Sequence, residues 1–177
     1  MDPVEKFATE AAAFEKWLVD DSEGGAAAVK ACLARLLALF AAGINLPPAW
    51  SDELAGRGAI EPVDDAEWQR AYEAAQRLPL DLYGEVYDPT VVPPEEPGLG
   101  SVADDLADIY RDVVAGLRAY RHGDLAGAVW EWGFGLQSHW GAHATSAIRA
   151  LYWWSREGAA GGSNDPEREA ADSSRDQ

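Results

Sequence analysis

The sequence predicts an all-α fold: a single-domain bundle of about five helices, with a long proline-rich loop and a disordered C-terminal tail. Three observations carry this. Apolar residues recur at helical spacing in five separate stretches. Capping residues, glycines and prolines bound those stretches. The length, 177 residues, suits one domain with its own core.

The first helix opens at Asp2, a capping acid followed by Pro3 at the first helical position. Val4, Phe7, Ala11, Phe14 and Leu18 form its apolar stripe, and "DDSEGG" (20–25) ends it. A second helix begins near Ala26, carries Val29, Leu33, Leu36, Leu37 and Phe40, and takes Gly43 as its C-cap. The stretch 44–62, rich in proline and glycine, reads as a long ordered loop with one short helical turn near "AWSDEL". The third helix starts at Asp64, with Glu67 as a capping-box partner. Trp68, Tyr72, Ala75 and Leu78 are its stripe, and Pro79 stops it. Residues 80–100 read as an extended loop pinned to the bundle by Leu82, Tyr83, Val86 and Tyr87.

The fourth helix opens at Ser101, with Asp104 at its third position, and runs to about His122. Its stripe is Leu106, Ile109, Tyr110, Val113, Leu117 and Tyr120. Asp124 caps the fifth and longest helix, which the spacing carries to about Glu157. The domain is therefore read as 1–157, and the residues 158–177, nearly devoid of bulky apolar side chains, as a disordered acidic tail.

The fifth helix holds the densest stretch, "WEWGFGLQSHWGAHATSAIRAL" (130–151). Apolar residues cover most of its circumference, as in a buried helix at the centre of a fold. Gly133, Gly135 and Gly141 each cost about 1 kcal/mol of helix propensity, which close packing must offset. Not every face can be covered, so Trp130, Phe134 and Trp153 are candidate binding residues on an aromatic face of this last helix. His139 and His143, at i and i+4, would put two imidazoles on one face and are weak metal candidates. No HExxH motif surrounds them, because Trp140 follows His139, and the chain holds no Glu-x-x-His pair. The expectation is hydrogen-bonded histidines beside tryptophans, with no cofactor.

On the fourth helix Asp104, Asp108 and Asp112 stand four residues apart, each pair disfavoured by about 0.2–0.5 kcal/mol. Such a row raises the thought of a divalent cation, and Asp104 and Asp108 are further weak metal candidates. The pairs Glu85-x-x-Asp88 and Asp105-x-x-Asp108 are distantly similar to those of all-helical magnesium pyrophosphatases. Asp104 and Asp108 lie off the apolar stripe, however, and the expectation is a solvated face.

Composition narrows the function classes. A formal net charge of −17 repels phosphate backbones, which argues against nucleic-acid binding while leaving room for an acidic nucleic-acid mimic. One cysteine, Cys32, and a charged N-terminus fit a reducing cytoplasm. The longest apolar runs fall short of the roughly 20 residues that span a bilayer, so no membrane partner is expected. No nucleophile elbow, phosphate loop or dinucleotide fingerprint appears.

Two segments, "EEPGLGSVADDLADIYRDVVAGLRAY" (95–120) and "AVWEWGFGLQSHWGAHATSAIRAL" (128–151), together with "YGEVYDP" (83–89), resemble a bacterial family known as domain of unknown function 5063. The likeness covers most of residues 1–155. It implies a compact helical domain and brings no activity, ligand or catalytic residue. The function expected is a non-enzymatic interaction or structural module of the bacterial cytoplasm, meeting a protein partner or a second copy through the aromatic face. The alternatives are a magnesium- or zinc-dependent helical hydrolase and the acidic mimic.

Overall fold

A computed structural model describes residues 1–20, 24–48, 60–93 and 96–160. The order of elements is α1 (Pro3–Asp20), α2 (Gly25–Gly43), α3 (Asp65–Ala75), β1 (Leu82–Glu85), β2 (Gly98–Ser101), α4 (Val102–Arg121), α5 (Leu125–Ser138) and α6 (Trp140–Ala160). The molecule is a helical bundle with one small antiparallel ribbon, in which Leu82 faces Ser101 and Glu85 faces Gly98. The short turn expected near "AWSDEL" and the tail from residue 161 onward lie outside the described residues. The first three residues assigned to the tail, 158–160, continue α6.

The helix starts follow local chemistry. Asp2 accepts from the amides of Val4 and Glu5. Asp64 and Glu67 form the reciprocal capping box. Ser101 accepts from Asp104 N–H at the head of α4, and Asp124 accepts from Gly127 N–H at the head of α5. Between those two helices Gly123 takes φ +83°. There its N–H bonds to the carbonyl of Tyr120 and the Asp124 N–H to that of Ala119, a Schellman stop that turns directly into the next cap.

Three expectations are corrected. First, α4 occupies the centre: it packs against α1, α3, α5 and α6, and its expected stripe is buried from Leu106 to Leu117, with Tyr120 partly so. Second, the long last helix is two helices. His139 leaves the helical region at φ −150° and ψ −82°, and α6 begins anew at Trp140. Gly141 permits this break, because a Cβ there would sit 2.0 Å from the Leu136 carbonyl oxygen. Third, residues 80–100 are not simply extended; two four-residue strands pair within them. Of the four pins proposed for that stretch, Tyr83 reaches α4, whereas Leu82 and Tyr87 are exposed.

Trp132 and Trp140 anchor the core, both fully buried. Trp132 donates to the Val113 carbonyl at 2.9 Å, and Trp140 donates to the Trp132 carbonyl at 3.0 Å, so neither indole N–H goes unsatisfied. Phe7 packs on both rings, and Phe40 meets Trp140 edge-on. Gly43 is the last residue of α2 rather than an αL cap; its missing side chain makes room for the Trp140 ring, which a Cβ would meet at 2.9 Å. Gly116 does the same for Trp132, whereas Gly133 faces open space and so has no packing role. α2, at 19 residues and mean hydropathy 1.7, is long and apolar enough by length and composition to cross a bilayer, contrary to the run lengths read from sequence. Its buried line, Val29, Cys32, Leu36 and Leu39, faces the bundle. Burial pushes the Cys32 thiol pKa up, which makes it a poor nucleophile.

Candidate metal centre

The break at His139 decides what the two histidines can do. Their rings stand 4.8 Å apart, nearly perpendicular, and both face the acid row of α4. His143 Nδ1 lies 2.8 Å from Asp105 Oδ1, and His139 Nδ1 lies 2.9 Å from Asp112 Oδ2. Each carboxylate is placed to accept from Nδ1–H, the tautomer that leaves Nε2 to face forward. Both Nε2 atoms then converge on one oxygen: Asp108 Oδ2 is 3.7 Å from that of His143 and 4.0 Å from that of His139. Those separations are too long for hydrogen bonds. A donor atom from each of the three residues lies within 4.8 Å of the other two.

The supporting contacts come from four more residues. Trp68, on α3, donates its indole N–H to Asp108 Oδ1 at 2.8 Å, which turns Oδ2 toward the imidazoles. Tyr83, on β1, donates to Asp105 Oδ2 at 2.7 Å. Gly135 leaves space beside Asp112, since a Cβ there would come within 3.2 Å of Oδ2. Ser146, one turn beyond His143, donates to Glu85 of β1 at 2.5 Å and ties the ribbon to α6.

Asp105 is the one buried charged residue among those described, at 4% exposure. Burial raises its pKa, against hydrogen bonds from His143 and Tyr83 that lower it. The bond to Asp105 raises the pKa of His143, opposed by burial. Asp104, one turn before Asp108, has its pKa raised by burial and by the charge of Asp108.

The α4 acids therefore do not form a solvated face. Asp105 is buried, and the side chains of Asp108 and Asp112 keep only 18% and 22% of their exposure. Of the weak metal candidates, Asp108, His139 and His143 come together, while Asp104 stays outside that cluster. Glu85 and Asp88 do not join it: Glu85 holds Ser146, and Asp88 caps a turn at Thr90. The binding candidates are divided by the helix break. Trp130 and Phe134 stack in parallel on α5 at 4.9 Å, and Phe134 is 56% exposed. Trp153 lies on α6 against Tyr152 and Arg156, beside a different hollow, next to Tyr83. Sequence reasoning places Asp105 and Asp112 in the acid row without their role behind the histidines, and misses Tyr83 and Trp68 as site residues.

A helical bundle with a histidine–carboxylate cluster between α4 and the α5–α6 break defines the class. The chain belongs to the family described as domain of unknown function 5063 (DUF5063), which it matches over residues 2–155. It is similar to the crystal structure of protein BF1032 from Bacteroides fragilis, with a TM-score of 0.69 and 20% identity over 85% of this chain and 90% of that one. That likeness concerns the fold. No curated protein matches the chain.

Proposed function

We propose that this protein binds a first-row transition-metal ion through His139 Nε2, His143 Nε2 and Asp108 Oδ2. One observation carries the reading: both imidazoles are held by a carboxylate at Nδ1 and aimed at a third carboxylate by Nε2. Metal-ligating histidines commonly have such a carboxylate behind them, because it fixes the tautomer and strengthens the donor. A tetrahedral shell at about 2.1 Å would put donor atoms about 3.4 Å apart. The observed 3.7 and 4.0 Å to Asp108 need an inward shift of a few tenths of an ångström, and the three donors, which span up to 4.8 Å, need the two imidazoles to close by about 1 Å. Two nitrogens and one oxygen suit zinc, iron, cobalt or manganese better than magnesium, which favours oxygen donors and retained waters.

The test is metal content after loading with zinc or cobalt and exhaustive dialysis. About one ion per chain is expected, lost in His139→Ala and in His143→Ala while both variants keep the parent's circular dichroism. A parent that retains no ion would leave the cluster as a proton-holding ion pair and end the metal reading.

A second reading, contact with a protein partner or a second copy, is supported by the α5 surface. The stacked Trp130 and Phe134 border a hollow of about 340 Å³ with Ile44, Pro47 and Pro48, and Ile44 is 63% exposed. Light scattering across a concentration series, on the parent and on Phe134→Glu, tests self-association. A monomer at every concentration would remove the second copy.

A further inference from the structure

Three protein donors leave at least one coordination position open. That opening lies on the side of His139, whose side chain is 44% exposed, against 26% for His143 and 18% for Asp108. What can enter depends on the charge around it. Asp105 and Asp112 stand behind the imidazoles, and Asp104 stands one turn from Asp108. Glu131, half-buried on α5, feels the charge of Asp112. Arg111, whose charge acts on Asp104, is already engaged: it pairs with Asp65 at 3.4 Å and lies over the Trp68 ring. A divalent ion brings two positive charges. Asp108 takes one and Asp105 the other, which leaves Asp104, Asp112 and Glu131 in excess.

Resting on the metal reading above, we infer that the open position takes neutral small ligands and turns anions away. The ligand class is an uncharged nitrogen or oxygen donor, or water. Phosphate esters and nucleotides do not belong to it, because each would bring further negative charge to a site already negative with its metal bound. This separates the protein from the magnesium pyrophosphatases that its acid row superficially resembles, whose substrate is the anion this site repels.

The experiment uses the cobalt(II)-loaded full chain and its visible absorption, titrated with azide as the anion and imidazole as the neutral donor. Asp104→Asn removes one surrounding charge without touching a donor or a histidine partner, and Glu131→Gln does so from another helix. Azide is expected to bind about three- to tenfold more tightly to either variant than to the parent, as the loss of one charge at this range implies. Imidazole affinity is expected to stay within about twofold. Azide affinity that does not change, or that changes in step with imidazole, would overturn the inference while leaving the metal site intact. Absence of a cobalt spectrum in the parent would instead overturn the metal reading, and this inference with it.

Discussion

Tyr83 Oη donates to Asp105 Oδ2 at 2.7 Å, and Asp105 Oδ1 in turn lies 2.8 Å from His143 Nδ1. A phenol on the ribbon thus sets the angle of an imidazole on α6 through a buried carboxylate on α4. Asp105 has little freedom to do anything else: both oxygens are committed and the residue is buried.

Removing the phenol hydroxyl tests that relay. Tyr83→Phe is expected to fold, and to lose about 1–3 kcal/mol because one Asp105 oxygen is left without its donor in a buried place. Zinc affinity should fall about 10–100-fold, as for other residues that orient metal ligands. Competition with a chromophoric chelator measures it. Unchanged affinity beside a lowered melting temperature would make Tyr83 purely structural.

Asp112→Asn makes the matching test at the other histidine. An asparagine can still accept from His139 Nδ1 yet carries no charge. The expected result is weaker zinc binding, by less than the loss in His139→Ala, with thermal stability close to the parent's, since the Asp112–His139 pair is partly exposed. Equal losses in the two variants would contradict a merely supporting role.

Glu131 gives a pH-dependent prediction away from the donors. Burial, and then the charge of Asp112, raise its folded pKa above the ordinary 4.5. Ionising it therefore costs more in the folded state than in the unfolded one. The penalty is present at neutral pH and disappears as pH falls through the folded value to the unfolded one. Glu131→Gln should raise the urea midpoint at pH 7, and the gain should shrink as the pH approaches 4.5. A gain that is constant across that range would point to packing instead of charge.

The core prediction concerns Trp140. Trp140→Ala should cost about 3–5 kcal/mol in denaturant unfolding, since the ring is fully buried against Phe7, Phe40 and Gly43. Gly43→Ala, which pushes a methyl to 2.9 Å from the same ring, should cost about 1–3 kcal/mol. A cost under about 1 kcal/mol for Trp140→Ala would contradict its place in the core.

Much of this fold is legible in the sequence because its signals are local. Asp2, Asp64, Ser101 and Asp124 announce helix starts within three residues of themselves, and all four cap as read. The strands are not legible. "LYGE" and "GLGS" are short and rich in glycine, and their pairing is settled by contacts with α4 and α6. The split at His139 escapes as well, since the apolar spacing runs through it without interruption and Gly141 reads as a packing glycine. Half of the site is legible: the i, i+4 histidines and the repulsive aspartate row both stand out in the sequence. What one sequence lacks is the register of α4 against the α5–α6 break, which alone pairs Asp105 with His143 and Asp112 with His139. The helical spacing of α4 points the row to water because an amphipathic pattern assumes one buried side. A helix with neighbours on nearly every side has no such free face, and Trp68 and the histidines occupy the one assigned to solvent.

The proposed donors and their supports are drawn from α3, β1, α4 and the α5–α6 break, so Trp68 and His143 meet at Asp108 from distant parts of the chain. No fragment carries the set. An ion held there would join α4 directly to the α5–α6 break, with α3 and β1 bracing the ligands from behind, and separation of α4 from the break would release it. Denaturation and demetallation would then be a single event, with the melting point climbing as free metal rises. Inside a cell, the lifetime of such a chain would track how well the organism is supplied with that element.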